Sequence, residues 1–333
     1  MIYALKNRSL MSLDELSASD VDFLLDMARE LKRAKRAGAE RPQLRGRNIA
    51  LLGAKAAART RSAFEAAAEE QGAIVTVVGH GDPLLGDKDA LMEIARVLGR
   101  LYDAIECRGI EPGIVSVLVQ FAGVPVHSGL TRPFHPTQRL ADYLTMQEHR
   151  PDKALSQMRL AYLGDASGNM GDSLLQGAVL VGLDLRIAAP RALWPSQASI
   201  NAAQAKTAAS GARLRLLESP EEAVHEVDFI CTDTWVCPGQ PDPIMAQRIA
   251  QLKPYRVNAD LLASSGNPAV KFMHCLPSLH DLQARKGGEL YRKYGTDGME
   301  VTDEVFESAA SVVVDQAENR LHTVKALLVA TLA

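Results

Sequence analysis

Short apolar runs alternate with longer stretches of helical periodicity along the chain. Ser19 can cap a helix that runs to about Ala37 and stops at Gly38, and Ser19 with Asp22 fits a capping box. Asn48–Leu52, ended by Gly53, has the length and apolar character of a buried strand. Helical composition over Ala57–Glu70 closes at Gly72, and Ala73–Val78 is a second strand. Residues 79–88 are rich in Gly, Asp and Pro and predict a loop. Helix Asp89–Tyr102, strand Asp103–Cys107, helix Pro112–Ala122, strand Val124–Val126 and a long amphipathic helix His135–His149 follow.

The rhythm restarts after Arg150-Pro151. The pattern predicts strands at Leu160–Leu163, Leu183–Ala188, Arg213–Leu217, Val227–Thr232 and Val270–Met273. Helices are predicted at Met170–Leu180, closed by Gly182, at Ser196–Ala209 and from about Gln316 to Leu332. Strands alternating with helices predict parallel sheets covered on both faces. Two such series, broken near residue 150, predict an α/β chain of two doubly wound domains linked by long helices. Ligands of such sheets sit at the carboxyl ends of the strands. Gly53–Arg61, Arg108, His135–Gln138, Gly164–Asn169, Thr232–Gly239 and His274–Pro277 all fall there. That convergence implies an active site between the domains, without naming a reaction.

Composition narrows the classes. At 333 residues the chain is long for one domain and right for two. A net charge of −3 gives no basic surface for nucleic acid or an anionic membrane. No segment has the purity of a membrane span, and Met1–Leu10 lacks the apolar core of a secretory signal. Cys107, Cys231, Cys237 and Cys275 form no zinc-type spacing, so no metal is expected and a cytoplasmic protein with reduced thiols is.

Several segments carry candidate chemistry. Ala57-Ala58-Arg59-Thr60-Arg61 opens a helix after a strand, where free backbone N–H groups and the helix dipole favour an anion. The plainer reading is a solvated helix start with surface arginines. His135-Pro-Thr-Gln138 also opens a helix, and both ends can donate to a carbonyl oxygen. It can equally be a cap with a surface histidine. Cys275, just past a strand in His274-Cys-Leu-Pro277, is a candidate nucleophile or proton-handling group, or a packed loop cysteine. Asp165 and Asp233 follow strands and suit an amine, or cap helices. Gly164–Asn169 lacks the dinucleotide fingerprint, so no nicotinamide cofactor is expected. Arg320, a turn into the last helix, can pair with Glu318 or reach the strand ends.

Together these segments resemble the ornithine carbamoyltransferase family, within the wider aspartate/ornithine group. The resemblance covers nearly the whole chain in order. It runs through Ala95–Arg100, Arg108-Gly109, Gly129–Thr131, Phe134–Gln138, Leu140–Asp142 and Leu144–Glu148. It continues through Ala192–Pro195, Phe272–Pro277, Val301–Phe306 and Asp315–Arg320. The His-Cys-Leu-Pro form points to the ornithine branch. The resemblance implies a carbamoyl-phosphate domain over 1–149, an ornithine domain over 150–314 and a C-terminal helix, 315–333, packing back on the first domain. It also implies a homotrimer with sites at subunit interfaces, a place in arginine biosynthesis and a reaction without metal, cofactor or covalent intermediate. The δ-amine of ornithine attacks the carbamoyl carbon, an oxyanion forms and phosphate leaves, giving citrulline.

Residue by residue, Arg59, Thr60 and Arg108 match positions that hold phosphate and carbonyl oxygens. His135, Gln138, Cys275, the Leu276 backbone and Arg320 match the carbamoyl pocket. Asn169 and Asp233 match contacts to ornithine. The phosphate side departs from the family. Its Ser-Thr-Arg-Thr-Arg motif reads Ala57-Ala58-Arg59-Thr60-Arg61 here. Leu84 stands for a glutamine that reaches the neighbouring subunit, whereas Lys88 is retained. The acceptor loop Ser-Met-Gly reads Cys237-Pro238-Gly239. A hydrogen bond to a charged group contributes about 1.5–3 kcal/mol, so three uncompensated losses cost at most about 4–9 kcal/mol. Three readings follow: an ornithine carbamoyltransferase with a rearranged donor pocket, a sister transferase with a changed donor or acceptor, or a silent family member.

Overall fold

The computed structural model describes residues 5–53, 58–79, 90–130, 134–235, 242–281 and 285–333. The chain forms two compact units, Met1–Leu144 with Glu318–Ala333, and Thr145–Ala317. Helices Pro136–His149 and Val313–Leu332 each run from one unit into the other.

The first unit holds a four-stranded sheet in the order β2-β1-β3-β4. Its strands are β1 Asn48–Leu52, β2 Ile74–Val78, β3 Ala104–Arg108 and β4 Val126–Leu130, all parallel. The second holds a five-stranded sheet, β7-β6-β5-β8-β9. These are β5 Arg159–Leu163, β6 Asp184–Ala188, β7 Arg213–Leu217, β8 Phe229–Thr232 and β9 Lys271–His274, again parallel. Central strands are mostly apolar on both faces because helices cover both, with Glu106 and Arg186 as buried exceptions. Thus Ala50, Leu52, Ile105 and Val126 share one core, and Ala161, Leu163, Ile230 and Phe272 another.

In each sheet the strand order reverses once. In the first, the connections from β1 diverge at the β1/β3 boundary, where Leu52 pairs with Cys107. In the second, the boundary is β5/β8, where Leu163 pairs with Thr232. A crevice opens at such a point because the loops leave in opposite directions. The next residues along are Gly53 and Arg108 in one unit, Gly164 and Asp233 in the other.

Local details differ from the sequence pattern. The first helix is Ala18–Arg36, and its capping box is Ser17 with Asp20, not Ser19 with Asp22. Both pairs have the right spacing. The earlier one extends the helix, keeping Val21, Leu24, Leu25 and Ala28 on its buried face. β4 begins at Val126 rather than Val124, because Pro125 has no N–H for the ladder and contributes only its carbonyl, to Ile105 N. Helices Asp242–Leu252, Ala259–Ser264 and Arg285–Tyr294 occupy stretches where the pattern predicts no element.

The end of the last helix is anchored in the first unit. Asn7 N donates to Thr331 O at 2.9 Å and Arg47 to Leu332 O at 3.0 Å. Leu327, Leu328 and Val329 are buried, each stabilising the docking by about 1.5–3 kcal/mol. Thr331 Oγ1 also meets His127 Nε2 at 3.3 Å. Burial pushes the His127 imidazole down to about 4 from 6.5. The folded protein keeps it neutral where the unfolded chain protonates it, so acid favours unfolding. His127 therefore contributes stability at neutral pH that is lost as pH falls from 6.5 through about 4, on the order of 3 kcal/mol. Urea midpoints measured across that window should drop, and His127→Gln should flatten part of the drop.

Candidate active site

In the first unit the helix after β1, Ala58–Glu70, places Arg59 on its exposed side and buries Thr60 at its first turn. Arg61 turns along the helix surface to Glu65 at 3.4 Å, an i,i+4 pair. Arg108, the last residue of β3, donates from Nη1 to Gly129 O at 2.8 Å. Arg320 arrives from the last helix, 7% exposed. Its Nη2 donates to Thr60 Oγ1 at 2.8 Å, to His135 Nε2 at 3.2 Å and, more weakly, to Gly129 O at 3.4 Å. Its Nη1 reaches Gln138 Oε1 at 3.4 Å. Gln138 is fixed in turn by donating to Asp142 Oδ1 at 2.9 Å, and Asp142 lies 2.6 Å from Arg139. So Thr60, Arg108, His135, Gln138 and Arg320, named from sequence, form one cluster, with Arg59 on the adjoining helix start.

Guanidinium has only donors, so His135 Nε2 accepts from Arg320 and the ring proton sits on Nδ1. Burial pushes the His135 pKa well below its usual value, and Arg320, Arg108, Arg139 and Arg59 push it further. The imidazole is therefore neutral. Donation from Nε2 to a substrate oxygen requires Arg320 to release that nitrogen.

Glu106 belongs to this site and escaped the sequence reading. It is 1% exposed, and neither carboxyl oxygen has a hydrogen-bond partner. Its Oε1 lies so close beneath Gly129 that a Cβ there would stand 1.9 Å from it. Burial raises its pKa well above the usual carboxylate range, partly countered by Arg320 and Arg108. The signal was present: in Ala104-Ile-Glu-Cys-Arg108, strand alternation puts Glu106 on the Arg108 face of a buried strand.

In the second unit Asp233 follows β8. Its Oδ1 accepts from Cys275 Sγ at 2.9 Å and from Thr234 N at 2.8 Å. Cys275 is half-buried, and Leu276 beside it has φ +53°. Asn169 opens helix Asn169–Val181, where Gly168 is the cap. Asp165 has a structural role: Oδ1 accepts Ser167 N and Oγ, at 2.9 and 2.6 Å, and Oδ2 pairs with Arg248. The His274 ring is engaged with Leu276 N and Glu300, so it is not a base for Cys275. Ala57, Leu84, Lys88, Cys237 and Pro238 lie outside the described residues, and Ala58 is described only as the start of its helix.

Two family profiles match the chain: the carbamoyl-P binding domain of aspartate/ornithine carbamoyltransferase over residues 8–148, and its Asp/Orn binding domain over 156–331. The chain belongs to the aspartate/ornithine carbamoyltransferase family. Among curated members of that family, it is 50% identical to the catabolic ornithine carbamoyltransferases of Rhizobium meliloti and Pseudomonas putida, each match covering 100% of this chain and 99% of the relative. Among solved structures, the ornithine carbamoyltransferase of Pyrococcus furiosus superposes with TM-score 0.88 at 33% identity, covering 100% of this chain and 99% of that one. That of Gloeobacter violaceus gives 0.81 at 32%, over 98% and 99%. The first profile covers the sheet whose strand ends carry Thr60, Arg108, His135 and Gln138, and the second covers Arg320 and the sheet carrying Asp233 and Cys275.

An ionised Glu106 opposes an anion held by Arg108 and Arg320. Sulfate keeps its charge across neutral pH and so isolates this effect. Glu106→Gln should bind sulfate roughly tenfold more tightly than the wild type above neutrality (about 1.4 kcal/mol). The two should converge as pH falls and Glu106 takes up its proton. Calorimetric titration at both ends of that range checks this, and equal affinities throughout would place Glu106 outside the field of the anion.

Proposed function

We propose that this protein transfers the carbamoyl group of carbamoyl phosphate to the side-chain amine of ornithine, giving citrulline and phosphate. The observation that carries the reading is the buried Arg320 cluster with Thr60, Arg108, His135 and Gln138 at the first sheet's switch point. Arg59, Arg108 and Thr60 take the phosphate oxygens, with help from the backbone amides of the helix start. Lys88 supplies a further cation, and the backbone of Leu276 accepts from the carbamoyl amide. Arg320 and His135 stabilise the carbonyl oxygen as it becomes an oxyanion, while Gln138 orients the carbamoyl group. Asn169 and Asp233 hold the amino acid, Cys237 and Pro238 contribute to its recognition, and Cys275 shares a proton with Asp233 next to the attacking amine. The reaction needs a neutral amine, fixed geometry and charge stabilisation, all within reach of these side chains.

The names of the two curated relatives support a degradative direction over the arginine synthesis that the sequence resemblance implies. The assembly in this reading is a homotrimer. The first unit exposes Ile74 and Val77 on edge strand β2, with Val97, Leu101 and Val119 on neighbouring helices, which suits burial against another subunit. Cys107, Cys231 and Cys275 are thiols and not disulfides, which suits the cytoplasm. Among the described residues no helix is long and apolar enough to cross a membrane.

Purified protein given carbamoyl phosphate and ornithine should form citrulline, and its absence from folded protein would overturn the reading. Arg320→Lys keeps the charge and loses the planar fork, so kcat/KM should fall by roughly a hundredfold (about 2.7 kcal/mol) with little change in melting temperature. One observation favours a changed donor, namely alanine at 57 and 58 and leucine at 84 where the family carries hydrogen-bonding side chains. Restoring them as Ala57→Ser, Ala58→Thr and Leu84→Gln should lower KM for carbamoyl phosphate. No change would mean that the pocket grips its donor by other groups.

A further inference from the structure

The loop carrying Cys275 is braced from behind by a buried pair that the transfer chemistry leaves unused. Residues 298–301 are tied to two other segments: Met299 N donates to Leu279 O at 2.8 Å, and Val257 N to Glu300 O at 3.0 Å. Inside this contact His274 and Glu300 are 1% and 0% exposed. Leu276 N–H donates to His274 Nδ1 at 2.8 Å, so that nitrogen carries no proton. The ring proton is on Nε2, which donates to Glu300 Oε1 at 3.1 Å. The same oxygen accepts Leu279 N–H at 2.9 Å. Burial disfavours the Glu300 carboxylate, but the hydrogen bonds from His274 and from the Leu279 N–H outweigh it, and its pKa ends below the usual value. A carboxylate behind an imidazole selects one tautomer.

That tautomer is the one Leu276 needs. Its φ of +53° lies in the left-handed region, which a leucine keeps only when its surroundings over-determine it. The bond from its own N–H to His274 supplies that constraint. The preceding residue, Cys275, then has its thiol directed at Asp233, 2.9 Å away. His274 is itself tied at its backbone, where its N–H donates to Gln316 Oε1 at 2.9 Å.

We propose that Glu300 and His274 are a positioning pair: Glu300 sets the His274 tautomer, His274 holds Leu276 in its left-handed conformation, and the loop thereby keeps the Cys275 thiol on Asp233. Its kinetic consequence rests on the carbamoyl-transfer reading; its structural consequence does not.

Two substitutions separate the ring nitrogens. His274→Asn keeps an acceptor near the Nδ1 position and loses Glu300. His274→Gln reaches toward Glu300 and loses the acceptor for Leu276. Glu300→Gln retains the shared oxygen, and Glu300→Leu removes it. The first readout is iodoacetamide labelling of the folded full chain, scored at Cys275 by peptide mass spectrometry, with Cys275→Ala as the blank. A thiol released from a carboxylate ionises more readily and is easier to reach. Labelling should speed up at least about fivefold in His274→Gln and Glu300→Leu, and stay within about twofold in the other two. The second readout is kinetic. With citrulline as product, kcat over KM for ornithine should be at least about tenfold lower in His274→Gln than in His274→Asn. Sulfate affinity, read in the first unit, should be alike in both.

Equal labelling of Cys275 in His274→Asn and His274→Gln overturns the proposal. If either variant does not fold, nitrogen NMR of histidine-labelled wild type decides: a His274 ring protonated on Nδ1 sinks it, and one protonated on Nε2 alone upholds it. A labelling contrast in a protein that makes no citrulline would leave the positioning pair standing and remove the carbamoyl-transfer reading instead.

Discussion

A guanidinium taken out of water needs acceptors around it, and the position of Arg320 is set by where its acceptors lie. Thr60, Gly129, His135 and Gln138 come from the helix after β1, the end of β4 and the first turn of a third helix. The first lies far from the other two in sequence, and Arg320 lies farther along still. One side chain from the end of the chain gathers them at the β1/β3 boundary, where the fold opens a crevice in any case. Charge and topology thus agree on one place, and removing Arg320 would leave buried acceptors without a donor.

The second unit uses different means at its own boundary. The Asp233–Cys275 contact is organised by the backbone around it: a left-handed leucine, a histidine accepting from it, and a neighbouring segment hydrogen-bonded alongside. An anion site benefits from fixed positive charge, whereas a site for an amine benefits from a carboxylate kept at a set distance from a weakly acidic thiol. The two sheets share an architecture and differ in what they place at its rim.

Much of this was legible in the sequence. The alternation of Asn48–Leu52, Ala73–Val78 and their successors with helical stretches gave parallel sheets. Strand-end placement then collected Thr60, Arg108, His135 and Gln138, which the structure unites. Other features were not legible because they depend on partners distant in the chain. Asp165 and Asp233 look alike in sequence, yet Arg248, 83 residues away, claims the first. Arg320 could not be aimed by local reasoning, since its acceptors begin 182 residues earlier. Ser17 and Ser19 offer the same capping spacing, and tertiary burial chose between them. Glu106 could have been found from its place on the Arg108 face of the strand, and only its pairing with the distant Arg320 was hidden.

Gly129 shows how tightly such a site constrains its own history. Its carbonyl serves two arginines, and the space where a Cβ would stand is filled by the carboxyl of Glu106. A methyl group at position 129 would force the Glu106 carboxyl and the Thr60 methyl to move, and a shorter acid at 106 would leave a void under the glycine. These two positions, 23 residues apart, therefore form a lock that drift cannot pick one tumbler at a time. Across relatives, a side chain at the first should appear together with changes at the second and at Thr60, a pattern of linked substitution that comes from crowding at one point.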